Sequence, residues 1–435
     1  MGVEFVSTRT RSVLYQLNML TLRSLELGLR IYHGALRIVG IFHPKAKAIT
    51  NGQRAALGQM KVWRDKNVDA EVLWIHVASL GEFEQGRPVM ELFKVQYPAA
   101  KIVLTFYSPS GYEVRKNYVG ADLITYLPLD IRKNMEEWCQ ALRPKVMGLV
   151  KYEVWPQMLM ALGSMNVPVV MFSAVFYSEQ RFFGRFSGFW KTILKNVSVF
   201  HVQDEDSAHL LRSIGFTSIE VSGDTRYDRV VEVASKAIVP ARYLDWKGEN
   251  CVVVLGSSYA AEEEAILECV EEFPDVKWVI APHHIDEENV QRIERLFAGK
   301  TQRATQVGPL QALPILILNT MGELGGLYKL GEIAVIGGGW GRGIHNILEP
   351  SAHGCAVIWG PNSQKFVEAR LMLAHGGGRQ VQHLSELAEQ IREWVRQPDQ
   401  REEIGKAAAE LVQSKAGASA KVLKTIGEFW ERKKR

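Results

Sequence analysis

From residue 71 onward, short apolar runs alternate with longer stretches in which apolar and polar residues recur at helical spacing. Most of the apolar runs are continuous rather than alternating, which is typical of parallel strands covered on both faces. The predicted strands are Val72–Val77, Lys101–Phe106, Leu123–Leu127, Val146–Val150, Pro168–Phe172, Val199–Val202, Cys251–Leu255, Trp278–Ile280, Ile315–Leu318, Ile333–Ile336 and Ala356–Trp359. The predicted helices between and after them include Glu84–Gln96, Met135–Leu142, Glu262–Phe273, Glu288–Ala298, Ser385–Arg396 and Arg401–Lys415.

This alternation forms two consecutive series of strand–helix–strand units, separated by a polar and irregular stretch at 222–248. Two such series predict an α/β protein with two Rossmann-like, doubly wound domains. We therefore expect an N-terminal segment over 1–44, a first domain over 45–222 and a second domain over 223–435.

The N-terminal segment has a different pattern. Residues 12–42 predict one long helix, which ends before Pro44. On a helical wheel its polar residues form one narrow stripe, and leucine and isoleucine cover most of the remaining surface. The stripe consists of Arg23, Glu26, Arg30, His33 and Arg37. Charges in mid-helix argue against a span that faces lipid on all sides, and the pattern favours an amphipathic helix lying in a membrane interface with its charged stripe toward the headgroups. The alternative is an amphipathic helix that packs on its own protein.

Composition and charge add two points. The chain has 435 residues, of which 47% are hydrophobic and 23% charged, so two domains with full cores are possible. Residues 1–70 hold eleven Lys and Arg against four Asp and Glu, a balance of +7, so the remaining residues sum to −3 for a net charge of +4. A basic end predicts an anionic partner. The amphipathic pattern favours a membrane surface over nucleic acid, and we expect no nucleic-acid partner.

The four cysteines are scattered, which fits a reducing compartment and predicts neither a disulfide framework nor a zinc site. His283-His284 is a poor zinc pair because adjacent loop residues point apart. No Gly-x-Gly-x-x-Gly follows the first strand of either domain, and no Gly-x-Ser-x-Gly or phosphate-binding P-loop is present.

The segment 337–361 carries the strongest single signal for a ligand. A strand runs into a glycine-dense turn, and His345, Asn346 and Glu349 follow at the start of a predicted helix. Glycines let backbone N–H groups approach a ligand, and a helix start offers unpaired N–H donors. This pattern predicts a phosphate held near a ribose, with Asn346 and Glu349 on one helical face. The alternative is an ordinary tight turn between strand and helix.

Other predicted strands of the first series also end in polar residues, at the sheet edge where doubly wound proteins bind ligands. Glu82 opens the helix after the first strand, and we expect the helix dipole to keep it ionised as a candidate general base. The alternative is a simple helix cap. Glu153 follows the fourth strand and could pair with Lys151. Arg226 lies near the domain joint, where it could reach a phosphate or pair with Asp228.

These motifs, together with similar clusters in the second series, occur in one order that resembles the 3-deoxy-D-manno-octulosonic acid (Kdo) transferases, which act on lipid A. The motifs that carry the resemblance are Ser79-Leu80-Gly81-Glu82, Tyr152-Glu153-Val154-Trp155-Pro156, Ser222-Gly223-Asp224-Thr225-Arg226-Tyr227-Asp228, Gly256-Ser257-Ser258, Ala281-Pro282-His283-His284, Asn319-Thr320-Met321-Gly322-Glu323-Leu324 and Gly343-Ile344-His345-Asn346-Ile347-Leu348-Glu349-Pro350. Any one of them is weak, but the ordered set is specific and covers nearly all of the chain from about Phe42.

The resemblance implies a GT-B glycosyltransferase, with an acceptor domain, a donor domain and the active site in the cleft between them. It implies CMP-Kdo as donor, a lipid A precursor as acceptor, inverting transfer, no cofactor and no metal. It also implies attachment to the cytoplasmic side of the inner membrane through the N-terminal helix.

Carried over by position, Glu82 matches the family's general base, and Glu153 matches a second important carboxylate. The residues that match the CMP-binding stretches are Pro282, His283, Met321, Gly322, Glu323, Asn346, Ile347, Leu348 and Glu349. The residues expected to contact the phosphate or Kdo are Ser79, Gly81, Arg226, Ser257 and His345.

The chain departs from the family's usual pattern at a few positions. His283 stands where the family usually has Arg, and a histidine carries charge less reliably near neutral pH. Asp224 and Arg226 stand where Asn and Lys are common, and Ile344 interrupts a Gly-Gly-His.

Two alternative functions are open at this point. One is another GT-B nucleotide-sugar transferase or epimerase with a UDP donor, and the other is a non-catalytic membrane-surface scaffold. The Ser79-to-Glu82 motif beside an apolar N-terminus argues against the first, and the intact Glu82 and Glu349 argue against the second.

Overall fold

The computed structural model describes residues 8–184 and 187–432. The chain forms two compact units. The first unit comprises Met1–Asp228 with Gly417–Arg435, and the second comprises Arg229–Ala416. Each unit contains one seven-stranded sheet in which every strand pair is parallel.

The sheet of the first unit has the strand order β3-β2-β1-β4-β5-β6-β7. Its strands are β1 (Val72–Val77), β2 (Lys101–Phe106), β3 (Leu123–Tyr126), β4 (Val146–Val150), β5 (Val169–Ala174), β6 (Val199–Val202) and β7 (Ile219–Val221). Its helices along the chain are α1 (Thr8–Val39), α2 (Pro44–Asp65), α3 (Leu80–Gln96), α4 (Pro109–Arg115), α5 (Arg132–Leu142), α6 (Pro156–Ser164), α7 (Ser187–Leu194) and α8 (Glu205–Ser213). The strand order reverses between β1 and β4, so the segments that follow these two strands flank the point where doubly wound sheets bind ligands.

The helix α9 (Arg226–Lys236) begins in the first unit and continues into the second. The sheet of the second unit has the order β10-β11-β9-β8-β12-β13-β14. Its strands are β8 (Val252–Ser258), β9 (Lys277–Pro282), β10 (Thr301–Arg303), β11 (Ile315–Ile317), β12 (Ile333–Ile336), β13 (Ala356–Trp359) and β14 (Gly378–Gln380). Its further helices are α10 (Ala241–Lys247), α11 (Ala260–Ala265), α12 (Leu267–Glu272), α13 (Glu287–Leu296), α14 (Leu324–Leu327), a 3-10 turn (Tyr328–Leu330), α15 (Leu348–Ala352), α16 (Val367–His375), α17 (Leu384–Arg396) and α18 (Pro398–Lys415). The order reverses between β8 and β12.

The two-domain α/β prediction is confirmed, and the apolar runs form the central strands. Three short strands were not predicted: β7, β10 and β14. All three lie at sheet edges. Each has three residues that are mostly half-buried or exposed, so no continuous apolar run reveals them.

The predicted boundaries of the second domain, 223–435, are wrong at both ends. The stretch 222–248, expected to be irregular, contains α9 and α10, and the units change at Asp228–Arg229. The last helix, α19 (Ala418–Trp430), belongs to the first unit. Its Val422, Ile426 and Trp430 are buried in the core that surrounds α3, where Trp430 packs edge-on against Phe93 with ring centroids 4.9 Å apart.

The predicted N-terminal helix is α1, whose first turn begins at Thr8; residues 1–7 of the predicted 1–44 segment lie outside the described residues. Pro44 does not simply end this helix, because it also occupies the first turn of α2. Leu22 is buried, and Glu26, Leu29, His33 and Leu36 are half-buried at helical spacing.

The described part of α1 therefore packs on its own unit, as the alternative prediction held. Even so, it leaves Leu27, Ile31 and Ile38 well exposed. None of the described helices combines the length and the apolar character that a membrane crossing requires.

Candidate functional site

In the first unit, the start of α3 holds Glu82 at the carboxyl end of β1. The Ser79 side chain caps the helix and accepts the Glu82 N–H at 3.4 Å, while a Glu82 carboxylate oxygen accepts the Ala78 N–H at 2.5 Å. These reciprocal bonds resemble a capping box and fix the Glu82 carboxylate against the strand end. Gly81 leaves open space beside the Ser79 side chain, since an added Cβ would meet only the Ser79 hydroxyl, at 4.0 Å.

The helix start does not hold the pKa of Glu82 at a low value, as the helix-dipole expectation would have it. Burial, followed by the negative charge of Glu153, raises the pKa of Glu82 to about 7, while the Ala78 N–H and Lys151 act in the opposite direction. Only 6% of the Glu82 residue is exposed. A carboxylate with a pKa near 7 is poised to take up a proton at neutral pH, as a general base must.

Glu153 lies on the loop that follows β4, the neighbour of β1 in the sheet. Burial raises its pKa, and the positive charges of Lys151 and Arg181 oppose that rise. Lys151 has a positive φ of 59°, a strained conformation for a non-glycine residue. The charge of Lys151 affects the pKa of Glu153, but the two described side chains form no direct ion pair. The alternative prediction, that Glu153 simply pairs with Lys151, is therefore not observed.

Asp130 anchors the other end of this loop. Its buried carboxylate accepts the Gln157 N–H at 3.1 Å and the Met158 N–H at 2.8 Å, in the first turn of α6. Burial raises the pKa of Asp130 to about 7, although the two N–H donors oppose that rise. Asp130 thereby fixes the helix start that terminates the Glu153 loop.

Arg226 is held by Asp224 rather than by Asp228. The Asp224 carboxylate accepts the Arg226 backbone N–H at 2.9 Å and its Nε–H at 2.8 Å. The same carboxylate accepts the Gln85 amide of α3 at 3.0 Å, so the motif around Arg226 is tied to the helix that carries Glu82. Asp228 instead accepts N–H groups of Gly417 and Ser419.

In the second unit, the glycine-rich turn follows β12 and meets the end of β8. A Cβ on Gly337 would lie 2.0 Å from the Ser257 carbonyl oxygen, so only glycine allows this approach. Ser257 has a positive φ of 55°. Gly338 donates its N–H to Glu262 at 2.9 Å, and part of the expected phosphate-binding backbone is thus already occupied by a carboxylate.

Asn346 and Glu349 are in direct contact, although they do not share the helical face that their spacing predicted. The Asn346 side-chain amide donates to the Glu349 carboxylate at 2.9 Å, and its oxygen accepts the Leu348 N–H at 2.9 Å. The helix begins only at Leu348, so Asn346 lies before α15, and its side-chain oxygen accepts the N–H of the first helical residue. The side chains of Ile347 and Leu348 are buried, so only their backbone groups remain for a ligand.

His283 and His345 are brought together in an aromatic cluster, which we call the imidazole cluster. Their ring centroids lie 4.6 Å apart, and Tyr259 stacks on His283 at 5.0 Å. The Tyr259 hydroxyl lies 3.2 Å from the His345 Nε2. His284 contacts His283 edge-on at 4.7 Å. Burial, and in each case a neighbouring imidazole, lowers the pKa of His283 and of His345.

The remaining predicted residues differ in exposure. Pro282 ends β9 and is buried, whereas Met321 is 83% exposed and Gly322 has a positive φ of 89°. Glu323 is fixed by the Tyr243 hydroxyl, which donates to its carboxylate at 2.8 Å.

Sequence reasoning missed Tyr259, Glu262 and Asp130. Tyr259 follows the quoted Gly256-Ser257-Ser258 directly, so its position beyond β8 could have marked it. Asp130 lies between β3 and α5, and its distant partners in α6 leave no local signal.

Comparison with known proteins shows which enzymes the chain is similar to. Residues 51–229 match a family profile described as 3-deoxy-D-manno-octulosonic-acid transferase (kdotransferase). The 3-deoxy-D-manno-octulosonic acid transferase of Haemophilus influenzae is 26% identical over 375 residues, which cover 83% of this chain and 87% of that protein. The enzyme of the same name from Aquifex aeolicus is 26% identical over 329 residues, which cover 74% of this chain and 85% of that protein.

Among solved structures, the UDP-GlcNAc 2-epimerase of Neisseria meningitidis bound to UDP-GlcNAc has a TM-score of 0.59 and 14% sequence identity. The match covers 82% of this chain and 100% of that one. At this identity the likeness concerns the fold alone, and it confirms the predicted pair of Rossmann-like domains of the GT-B class.

Proposed function

We propose that this chain, a glycosyltransferase related to the Kdo transferases over most of its length, transfers Kdo from CMP-Kdo to a lipid A precursor in lipopolysaccharide synthesis. The proposal includes inversion at the anomeric carbon, independence of metal ions and Glu82 as the general base.

In the proposed step, an acceptor hydroxyl oxygen attacks the anomeric carbon of Kdo. The new carbon–oxygen bond forms as the bond from that carbon to the phosphate oxygen breaks, and its electron pair leaves with CMP. The hydroxyl proton goes to the Glu82 carboxylate. Attack from the face opposite the leaving group gives inversion and needs one base.

The observation that carries the proposal is the environment of Glu82. This carboxylate is buried at the strand-order reversal of the first unit, fixed by the Ala78 N–H, and shifted to a pKa of about 7. A purely capping glutamate at a helix start would instead have a lowered pKa. Glu153 supports the role because its negative charge raises the basicity of Glu82.

For the donor, we propose that CMP binds the second unit. The supporting residues are Asn346 and Glu349, which suit ribose hydroxyls, and the imidazole cluster, which suits the phosphate. Pro282, Met321, Gly322 and Glu323 would complete the nucleotide site, and Ser79, Gly81, Arg226 and Ser257 would contact phosphate or Kdo. Developing negative charge on the leaving phosphate can be stabilised by N–H donors and imidazolium groups.

We propose that the chain works on the cytoplasmic side of the inner membrane, with α1 against the membrane surface. Support comes from apolar side chains at the end of α1 and in the turn after it. Ile38 is 67% exposed, Ile41 72% and Phe42 87%, and such contiguous exposure marks an interaction surface.

The decisive experiment is incubation of the full chain with CMP-Kdo and a lipid A precursor, followed by mass analysis of the lipid. We expect a mass increase of one or more Kdo residues, unchanged by a chelator, and an anomeric configuration opposite to that of the donor. The Glu82→Gln variant should bind CMP and fail to transfer. Transfer by this variant at the native rate would exclude Glu82 as the base, and a product requiring added metal would exclude metal independence.

A further inference from the structure

A second cavity of the first unit, distinct in its charge from the site around Glu82, lies between α1, α2 and the segment before α5. We call it the α1–α2 cavity. It has a volume of about 380 Å³ and is lined by Arg30, His33, Gly34, Arg37 and Arg54 among others. A Cβ added to Gly34 would meet no atom within 4 Å, so the wall is open at this residue.

The cavity has an unbalanced positive charge. Three arginines line it, Arg30, Arg37 and Arg54, and no Asp or Glu does. The Arg30 guanidinium forms an ion pair with the Glu26 carboxylate at 2.8 Å, so its charge is offset. Arg37 and Arg54 have no hydrogen-bond or ion-pair partner in the part of the chain that the structure describes.

The effect of these charges is visible on His33. Its pKa is lowered by burial, then by the positive charge of Arg37, and also by that of Arg54. Arg37 and Arg54 are therefore both close enough to the His33 imidazole to disfavour its protonated form. Like charges held together without a counter-charge cost free energy, which a bound anion recovers.

A neighbouring cavity shows the ordinary arrangement. It is lined by Arg23, Arg132 and Lys133, but also by Glu136 and Glu137, and Arg132 pairs with Glu136 at 2.7 Å. With Arg30 and Glu26, which also line it, four cations face three carboxylates, so most of the positive charge in that cavity is offset. The α1–α2 cavity differs in that no carboxylate is among its lining residues.

The surroundings indicate what kind of anion the cavity receives. The exposed Ile31 and Ile38 lie on the same helix, and Ile41 and Phe42 form the turn into α2. A ligand with a compact anionic group and a hydrocarbon part matches both surfaces. The planar guanidinium pairs with phosphate through two parallel hydrogen bonds, which makes phosphate the best match for paired arginines.

We propose that the α1–α2 cavity binds the phosphate group of a lipid headgroup, with Arg37 and Arg54 as its ligands. This site goes beyond the proposed transfer reaction, because none of its residues takes part in the proposed chemistry. It would fix α1 on the membrane in one orientation, in addition to the apolar contact.

The test is equilibrium partitioning of the full chain into phosphatidylcholine vesicles that contain either phosphatidic acid or phosphatidylserine at matched surface charge. The phosphate of phosphatidic acid is terminal and accessible. The native chain should prefer phosphatidic acid by about fivefold or more. The Arg37→Gln/Arg54→Gln variant should lose this preference and bind phosphatidic acid vesicles roughly tenfold more weakly.

The matched control is Arg23→Gln/Lys133→Gln, which removes the same charge from the neighbouring cavity, where carboxylates also line the wall. It should bind both vesicles more weakly and keep the preference for phosphatidic acid. Arg37 and Arg54 are exposed, so the thermal midpoint should be unchanged in either double variant. Equal loss in the two double variants, or no headgroup preference in the native chain, would overturn the proposal.

Inorganic phosphate distinguishes a lipid site from a site for free anions. Competition by inorganic phosphate that removes the headgroup preference, without affecting the Arg37→Gln/Arg54→Gln variant, would support the assignment. Calorimetric saturation of the native chain by inorganic phosphate with no headgroup preference in vesicles would place a free anion in the cavity and overturn a lipid ligand.

Discussion

The Asp228 carboxylate accepts the N–H of Gly417 at 2.6 Å, although the two residues are 189 positions apart. The same carboxylate accepts the Ser419 N–H and hydroxyl, both at 2.9 Å. Gly417 precedes α19 and has no side chain to cap it, so Asp228 supplies the cap from a distant segment. The chain is thus fixed where it re-enters the first unit, beside the point at which it leaves.

Replacement of Asp228 by Ala should destabilise the first unit by about 2 kcal/mol, because the cap is lost and half-buried N–H groups lose their acceptor. Urea unfolding followed by tryptophan fluorescence would measure the loss. The control is Asp286→Ala, which removes a more exposed cap of α13 with one backbone bond and should cost about 1 kcal/mol. A smaller loss in Asp228→Ala than in this control would contradict the capping role.

The pH dependence of transfer should reveal the neighbours of Glu82. Since the pKa of Glu82 is about 7, kcat/KM should rise with pH and level off above neutrality, as the base loses its proton. Glu153→Gln removes a negative charge that raises this pKa, so the acidic limb should move to lower pH. Lys151→Met removes a positive charge that lowers it, so the limb should move to higher pH.

The opposite directions of these two shifts make the test specific. The exposed Glu205→Gln serves as the control and should leave the midpoint in place. Shifts of the same sign in Glu153→Gln and Lys151→Met would rule out a direct electrostatic effect on Glu82.

Stability should also depend on the charge of Glu82. Its pKa is raised above the ordinary value of about 4.5, so the folded state favours the proton and loses stability as pH rises from about 4.5 to about 7. Glu82→Gln keeps an acceptor for the Ala78 N–H and removes the charge. We expect this variant to be more stable than the native chain by up to about 3 kcal/mol at pH 8 and similar to it below pH 5. Unfolding in urea at both pH values measures this difference. A gain in the free energy of unfolding at acidic pH alone would show that ionisation of Glu82 does not destabilise the folded state.

Binding of CMP should strengthen as pH falls from 8 to 6. The pKa values of His283 and His345 are lowered by burial and by a neighbouring imidazole, so both rings are largely neutral near pH 8, and a bound phosphate favours their protonated forms. Tyr259, Glu262, His284 and Arg342 are the other titratable or charged groups near this cluster. Each proton taken up on binding changes the dissociation constant of CMP by at most about tenfold per pH unit. Calorimetric titration with CMP at several pH values would measure this constant.

The His283→Arg variant provides the matching comparison. A permanent guanidinium should tighten CMP binding at pH 8 and reduce the pH dependence. The control is His375→Arg, at an exposed position of the same unit, which should leave both unchanged. An undiminished pH dependence in His283→Arg would assign the proton uptake to another group.

The sequence predicts what depends on local pattern and misses what depends on distant neighbours. Central strands such as β1 and β8 are continuous apolar runs, so their positions could be predicted to within a few residues. Edge strands bury too little to show this pattern. Glu82 could be located from its motif, but its pKa depends on burial and on Glu153, and both follow from the packing and the sheet order.

The imidazole cluster illustrates the same limit in the second unit. Asn346 and Glu349 are three residues apart, so their proximity could be predicted from the sequence, although the helix that the prediction assumed begins only at Leu348. Tyr259, His283 and His345 come from three different strand ends, and no local pattern shows that they stack. The side-chain geometry of such a site follows from the order of the strands.

The position of α19 has a consequence for the order in which the protein is made. The first unit needs Val422, Ile426 and Trp430 to complete its core, yet the ribosome synthesises these residues after all of the second unit. The second unit is one uninterrupted segment and can finish folding during translation. The unit that begins first is therefore completed last, and until α19 arrives the apolar surface around α3 remains uncovered on the nascent chain.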